Sequence, residues 1–263
     1  MRVLFAGDVV GRAGRHILKL GLAKLRETND FDLVIANIEN AAAGFGVTPD
    51  VADKFFAMGV DVLTSGNHIW DKKDILHYIV REPRLLRPIN YPATCPGSGA
   101  YVARTPSGEP VAVLNLQGRV FMPITDCPFQ AAEREVPRLA RECRVIIVDM
   151  HGEATSEKTA MGWFLDGKVS AVLGTHTHIP TSDERILPGG TAYMTDVGMC
   201  GAFDSVIGIE TETSLPRFLS SMPTKFETAK SNPWMNAVIL EVDGESGRTR
   251  SIERVRITES ELK

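Results

Sequence analysis

Five short apolar runs punctuate the first two-thirds of the chain, at residues 3–6, 33–36, 60–64, 145–148 and 171–173, and none alternates with polar residues. A strand that is apolar on both sides must be covered on both sides, which is the pattern of parallel strands joined by crossover helices. Between the runs, residues 14–28, 48–58, 72–81, 129–142 and 156–165 carry apolar side chains at helical spacing. Thr48 and Pro49 supply a cap and a first-turn residue for the second of these helices. The expectation is an α/β fold whose five parallel strands share one covered sheet.

The later runs supply a second sheet. Residues 101–104 and 111–116 flank Pro106-Ser107-Gly108 and read as a hairpin, and residues 192–195, 237–242 and 252–257 read as further strands. Packed on the first sheet and flanked by helices, they predict a two-sheet αββα sandwich. A chain of 263 residues can bury one large core, so one domain over residues 1–263 is expected. Residues 82–99 carry Pro83, Pro88, Pro92 and Pro96 and read as an irregular loop. There is no internal repeat and no low-complexity tract.

Composition excludes several classes. No apolar run approaches the ~18 residues that span a bilayer. The apolar stretch at residues 3–6 is too short for a signal-peptide core, so a cytoplasmic protein is expected. Cys95, Cys127, Cys143 and Cys200 are scattered and form no C-x-x-C pair, which predicts reduced thiols. A net charge of −4 and the lack of any basic run interleaved with aromatics argue against stable binding of long nucleic acid. A homo-oligomer is compatible with the sequence.

The residues just beyond the five runs narrow the chemistry. They are Gly7-Asp8, then Asn37-Ile38-Glu39-Asn40, Gly66-Asn67-His68, His151-Gly152-Glu153 and Thr175-His176-Thr177-His178. Strand carboxyl ends lie along one edge of an open α/β sheet, so ligands distant in sequence converge there. Of the 6 histidines in the chain, His68, His151, His176 and His178 fall directly after these strands, whereas His16 and His77 sit on helices and are expected to be solvated. One such histidine is more often structural than a ligand. Four of them beside Asp8, Glu39, Asn40 and Asn67 make a metal site the stronger reading. Asp8, Glu39, Asn40, Asn67, His151, His176 and His178 mix hard oxygen with imidazole and include no thiolate, which suits manganese, iron or zinc. Seven donors exceed the needs of one four-coordinate ion and fit two ions about 3.5–4 Å apart that share a carboxylate. Asp149 and Glu153 flank His151 and are candidates to orient a ligand imidazole.

The blocks Gly7-Asp8-Val9-Val10-Gly11, Glu39-Asn40, Gly66-Asn67-His68, His151 and Gly174-Thr175-His176-Thr177-His178 resemble, in order, those of the calcineurin-like metallophosphoesterases. Two departures stand out: Val10 occupies the place of a usual metal-binding histidine, and Glu39-Asn40 replaces the usual bridging aspartate. With Asp196-Val197-Gly198-Met199-Cys200-Gly201 and Asp204-Ser205-Val206-Ile207-Gly208, the chain looks like the YmdB-like branch of that superfamily. The resemblance implies two divalent or mixed-valence transition metals, iron or manganese, with zinc as the alternative. It puts Asp8, Asn40 and His178 on one metal, Asn67, His151 and His176 on the other, and Glu39 between them. It also implies hydrolysis of small phosphodiesters, notably 2',3'-cyclic nucleotides, by a hydroxide held between the metals.

His68, next to Asn67, is then expected to serve as the acid that protonates the leaving oxygen. Two other classes compete. Ser65-Gly66-Asn67-His68 spells the letters of the SGNH esterases, which are metal-independent, but no Gly-Asp-Ser or G-x-S-x-G segment supplies their nucleophile. Gly7, Gly11 and Gly14 before a helix could instead form a phosphate-cradling turn in a non-catalytic nucleotide-binding protein. Their plainer use is tight passage from strand to helix. Residues 117–128 are read as an ordered loop shaping the substrate crevice, and Met199, Phe203 and Trp163 are given no role.

Overall fold

The computed structural model describes residues 1–262. In chain order its elements are β1 (Arg2–Ala6), β2 (Asp8–Val9), α1 (Gly11–Arg26), β3 (Leu33–Asn37), α2 (Pro49–Ala57), β4 (Val62–Thr64), α3 (Ile75–Tyr78), β5 (Ala100–Arg104) and β6 (Pro110–Gln117). Then come α4 (Pro128–Leu139), β7 (Val145–His151), α5 (Thr155–Leu165), β8 (Ala171–Thr175), β9 (Arg185–Ile186), β10 (Ala192–Met194), β11 (Met199–Ala202), α6 (Thr211–Ser220), β12 (Pro233–Val242) and β13 (Thr249–Thr258).

The strands form two mixed sheets. One runs β2-β11-β12-β1-β3-β4, with β13 also paired to β12, and the other runs β5-β6-β7-β8-β10-β9. The five apolar runs therefore do not share a sheet: β1, β3 and β4 are parallel neighbours in the first, and β7 and β8 are parallel neighbours in the second. The difference has a simple cause. A strand covered by a helix on one side and by another sheet on the other reads the same as one covered by helices on both.

Alternate residues sort these strands between layers. Val3, Phe5, Leu33 and Ile35 meet Val111, Val113, Ile147 and Leu173 in the slab between the sheets. Leu4, Ala6, Val34 and Ala36 face outward onto Ile17, Leu18 and Leu22 of α1 and Ala52 and Phe55 of α2. Ala112, Leu114, Ile146 and Val148 face the other way, onto Ala131 and Val136 of α4 and Met161 and Leu165 of α5. The result is the expected αββα sandwich.

Local departures have local causes. The hairpin between β5 and β6 forms, with Val102 opposite Ala112. Pro49 opens α2, but the Thr48 side chain makes no cap; its backbone carbonyl accepts the amides of Val51 and Ala52 instead, each at 3.0 Å. The helix expected over residues 72–81 shrinks to α3, because the chain after Asn67 turns instead, with the Asp71 amide bonded to the His68 carbonyl at 3.1 Å. Helix α6 has no apolar pattern to reveal it: Ser214 is its buried residue, while Leu215, Phe218 and Leu219 face solvent. His16 and His77 are exposed on α1 and α3. Among the described residues no helix is long and apolar enough to cross a membrane, and all four cysteines are free thiols.

The inter-sheet slab fixes how the two sets of strand ends face each other. Replacing Ile147, fully buried there, with alanine is expected to lower the unfolding free energy in a urea titration by about 2–5 kcal/mol. A loss below about 0.5 kcal/mol would contradict a tightly packed slab.

Candidate metal centre

Although they belong to two sheets, the carboxyl ends of β1, β3, β4, β7 and β8 meet at one rim. A buried polar seam joins them there. The Asn37 side-chain amide at the end of β3 donates to Asp149 of β7 at 3.0 Å, and the Ser65 amide after β4 donates to the Asn115 side chain of β6 at 3.1 Å. Above this seam stand the seven candidate donors.

Four of their atoms crowd together. The Nε2 of His151 lies 3.0 Å from Glu39 Oε1, 3.2 Å from Asn67 Oδ1 and 3.1 Å from His176 Nδ1. Hydrogen bonding identifies what His151 presents to them. Thr175 Oγ1 donates to Asp149 at 2.6 Å and lies 2.9 Å from His151 Nδ1, so it accepts the Nδ1 proton. When His151 is neutral, as a metal ligand must be, its Nε2 lone pair faces two oxygens and a nitrogen. Donors about 3.0 Å apart are the edges of an octahedron with bonds of ~2.1 Å, since the edge is √2 times the bond. Glu39, His151 and His176 form a cluster able to hold a metal ion.

Three buried oxygens in this set have no hydrogen-bond partner: Asp8 Oδ1, Glu39 Oε1 and Asn40 Oδ1. Buried oxygens are ordinarily satisfied, and these three stand together at one rim, whereas the other buried atoms without a partner, Thr64 Oγ1, Asn115 Nδ2, Gln117 Oε1 and Glu184 Oε2, are not candidate ligands. Asn40 is set in this orientation by its own amide, which donates to the Gly44 carbonyl at 2.9 Å. His178 donates Nδ1–H to the Ile207 carbonyl at 2.8 Å, which leaves its Nε2 as the donor atom. The donor set thus fits divalent ions on chemistry and on unsatisfied valence.

Electrostatics agree. Burial works against the Glu39 carboxylate, but His151 and the His68 amide outweigh it and hold the group at about 2. Burial pushes Asp8 up to about 6 against the pull of His178 and His151. Burial also lowers the His151 imidazole, yet Glu39 and Asp8 overcome it and raise it to about 9, while burial and the neighbouring His151 push His176 down to about 3. Negative charge at the rim attracts a cation onto His151.

Positioning is costly in backbone terms. His176 and His178 have φ of 100° and 67°, a region that non-glycine residues rarely occupy. Their loop is pinned by the His176 amide on Asp8 at 3.0 Å and by the Thr177 amide on Asp196 at 3.0 Å. Asp196 is itself paired with Lys158 at 2.7 Å, both side chains being almost fully buried. Sequence reasoning missed Thr175 and Lys158, since neither type is a ligand and only the fold brings them in. Asp149 reaches His151 through Thr175, and Glu153 lies 3.2 Å from His176 Nε2, so both flanking carboxylates touch the imidazole network.

His68 stands at the edge of the cluster. Its amide donates to Glu39 Oε2 at 2.9 Å, its Nδ1 lies 2.8 Å from Asp71, and its half-buried ring lines a cleft of about 480 Å³. Glu39, Asn40, His176 and His178 line the same cleft, with Val10, Phe45, Ile207, Arg217 and Phe226. No residue of 117–128 lines it, which corrects the expectation for that loop; Glu157 holds its Arg119 and Val120 amides elsewhere.

The competing readings lose their residues. Ser65 is fully buried and donates its hydroxyl to the Leu86 carbonyl at 2.7 Å, so it cannot be a nucleophile. Gly14 is needed for packing: a Cβ there would lie 2.2 Å from the Cys200 carbonyl oxygen.

A sequence model of the YmdB-like protein family matches residues 4–255. The chain belongs to the YmdB-like family. It is 43% identical to the "2',3'-cyclic-nucleotide 2'-phosphodiesterase" of Bacillus subtilis (strain 168) over 262 residues, which is 100% of this chain and 99% of the relative. Two solved structures are similar across 98% of this chain. One is a hypothetical protein from Thermus thermophilus, at TM-score 0.92 and 41% identity over 99% of its chain. The other is a Mycoplasma pneumoniae protein described as a novel phosphatase, at TM-score 0.91 and 38% identity over 93% of its chain.

Gly66 offers a direct check on the site. A Cβ there would sit 2.1 Å from the His151 ring. Gly66→Ala is expected to leave the circular dichroism spectrum intact and to weaken manganese binding by at least ~10-fold in a calorimetric titration. Wild-type affinity would remove His151 from the ligand set.

Proposed function

We propose that this YmdB-like protein is a metal-dependent phosphodiesterase acting on small phosphodiesters, 2',3'-cyclic nucleotides among them. Convergence of Glu39, Asn67 and His176 donor atoms on His151 Nε2, beside a cleft that Glu39, Asn40, His176 and His178 line, supports this reading most directly. The name of the Bacillus subtilis relative supports the substrate class.

Asp8, Asn40 and His178 would hold one ion, Asn67, His151 and His176 the other, and Glu39 both, with iron or manganese the metals that suit oxygen and imidazole donors. When bound, such a pair polarises the phosphoryl oxygens and makes water acidic enough to supply a nucleophile near neutral pH. The chain's own groups do the rest. Thr175 and Asp149 keep the His151 proton on Nδ1, away from the substrate. Asp71 accepts Nδ1–H of His68, so the proton that His68 can deliver to a leaving oxygen is the one on Nε2. Val10 places a methyl-lined wall where the wider superfamily carries an imidazole, which would leave His178 as the one imidazole on the Asp8 side, beside oxygens of Asp8, Asn40 and Glu39. The free, scattered thiols fit a reducing compartment, the cytoplasm.

The test is hydrolysis of bis-p-nitrophenyl phosphate, with p-nitrophenyl acetate as comparison, by chelated protein reloaded with manganese or iron. Diester cleavage should require the metal and fail in Asn67→Ala. His68→Ala should bind metal normally and lose about 10²–10⁴ in turnover. Metal-independent acetate cleavage alone would overturn the proposal, and near-normal turnover in His68→Ala would remove that residue from the mechanism.

A further inference from the structure

The metal centre accounts for one half of the cleft. The other half is aromatic and leads outward from His68. Phe45 meets the His68 ring edge-on with centroids 5.0 Å apart, and Phe226 lies against Phe45 with centroids 6.3 Å apart and planes 26° from parallel. The Arg217 guanidinium stands over Phe226, 5.0 Å from its centroid. The row runs from Arg217 through Phe226 and Phe45 to His68, whose amide bonds to Glu39. All of these side chains line the same cleft as the candidate ligands, and Arg217 is the one Lys or Arg among the described residues lining it.

Neither ring is there to fill a core. Phe45 and Phe226 are half-buried and belong to none of the hydrophobic clusters. Each is held by backbone. Phe45 rides on the turn that orients Asn40, where Gly44 and Gly46 have φ of 92° and 75°, and the Gly44 amide returns to the Asn40 carbonyl at 3.1 Å. Phe226 sits on the strand-like return after α6, where the Glu210 amide bonds to the Glu227 carbonyl at 2.8 Å. A half-exposed aromatic face beside a candidate metal site is the arrangement that binds a planar heterocycle by stacking.

Resting on the phosphodiesterase reading, we propose that Phe226 and Phe45 form a nucleobase subsite, with Arg217 at its outer end. The base of a 2',3'-cyclic nucleotide stacks on the phenyl faces while its phosphate faces Glu39 and the histidines. The subsite favours nucleotides over base-free diesters, and it favours no particular base strongly, because every base has a π-face.

The experiment compares kcat/KM of the manganese-loaded full chain for 2',3'-cyclic AMP and for methyl riboside 2',3'-cyclic phosphate, which lacks the base. The quantity read is the ratio of the two. Stacking on one ring predicts that Phe226→Ala lowers this ratio by about 5- to 150-fold, mostly through KM for the nucleotide. Phe226→Trp should keep or raise it, and Phe226→Leu, which keeps bulk and loses the π-face, should fall with alanine. A ratio unchanged in Phe226→Ala, or a leucine variant equal to wild type, overturns the subsite and leaves the phosphodiesterase reading standing. A wild-type protein that cleaves bis-p-nitrophenyl phosphate and neither cyclic phosphate overturns the substrate class and the subsite with it.

Discussion

Lone pairs forced together at His151 Nε2 are the constraint on which the rest of the structure depends. Glu39, Asn67 and His176 each place a donor atom within 3.2 Å of that nitrogen. Such an arrangement is repulsive unless a proton or a metal ion shares it, and Asp8 and Glu39 each keep one buried oxygen with no hydrogen-bond partner. The chain tolerates the crowding because three apolar layers lie beneath it and because the strand ends are tied by the Asn37–Asp149–Thr175 seam. The left-handed His176 and His178 are held in the same way, by Asp8 and by the buried Lys158–Asp196 pair. Stability supplied by the sandwich is spent on preorganising a polar rim.

The gathering of candidate donors at one rim was more legible than the fold around it. Asp8, Glu39, Asn40, Asn67, His151, His176 and His178 could be read out because each comes after an apolar run, and strand ends converge whichever sheet they belong to. That is also why the division of those runs between two sheets stayed hidden without disturbing the inference. Short elements such as β2, β9 and β11 carry too few residues for a pattern, and α6 has no buried face to generate one. Thr175 and Lys158 were invisible for another reason. A threonine that relays a proton position and a lysine that balances Asp196 have no signature of spacing; three-dimensional contact alone gives them a role.

The cleft has two chemically different halves, and the chain builds them from different places. Strand ends at the core of both sheets supply the polar half, whereas the aromatic half comes from the 40–46 turn and the segment around α6. Leu215, Phe218 and Leu219 on α6 are exposed, and few apolar contacts anchor that segment to the sandwich. Weakly anchored segments are the ones that reshape most readily around a ligand.

The number and placement of ions is the central claim, and anomalous diffraction from crystals of manganese-loaded protein measures both at once. The account predicts two peaks about 3.5–4 Å apart with Glu39 between them, one beside Asp8, Asn40 and His178 and the other beside Asn67, His151 and His176. A single peak bounded by Glu39, His151 and His176, with Asp8 and Asn40 coordinating nothing, would contradict it.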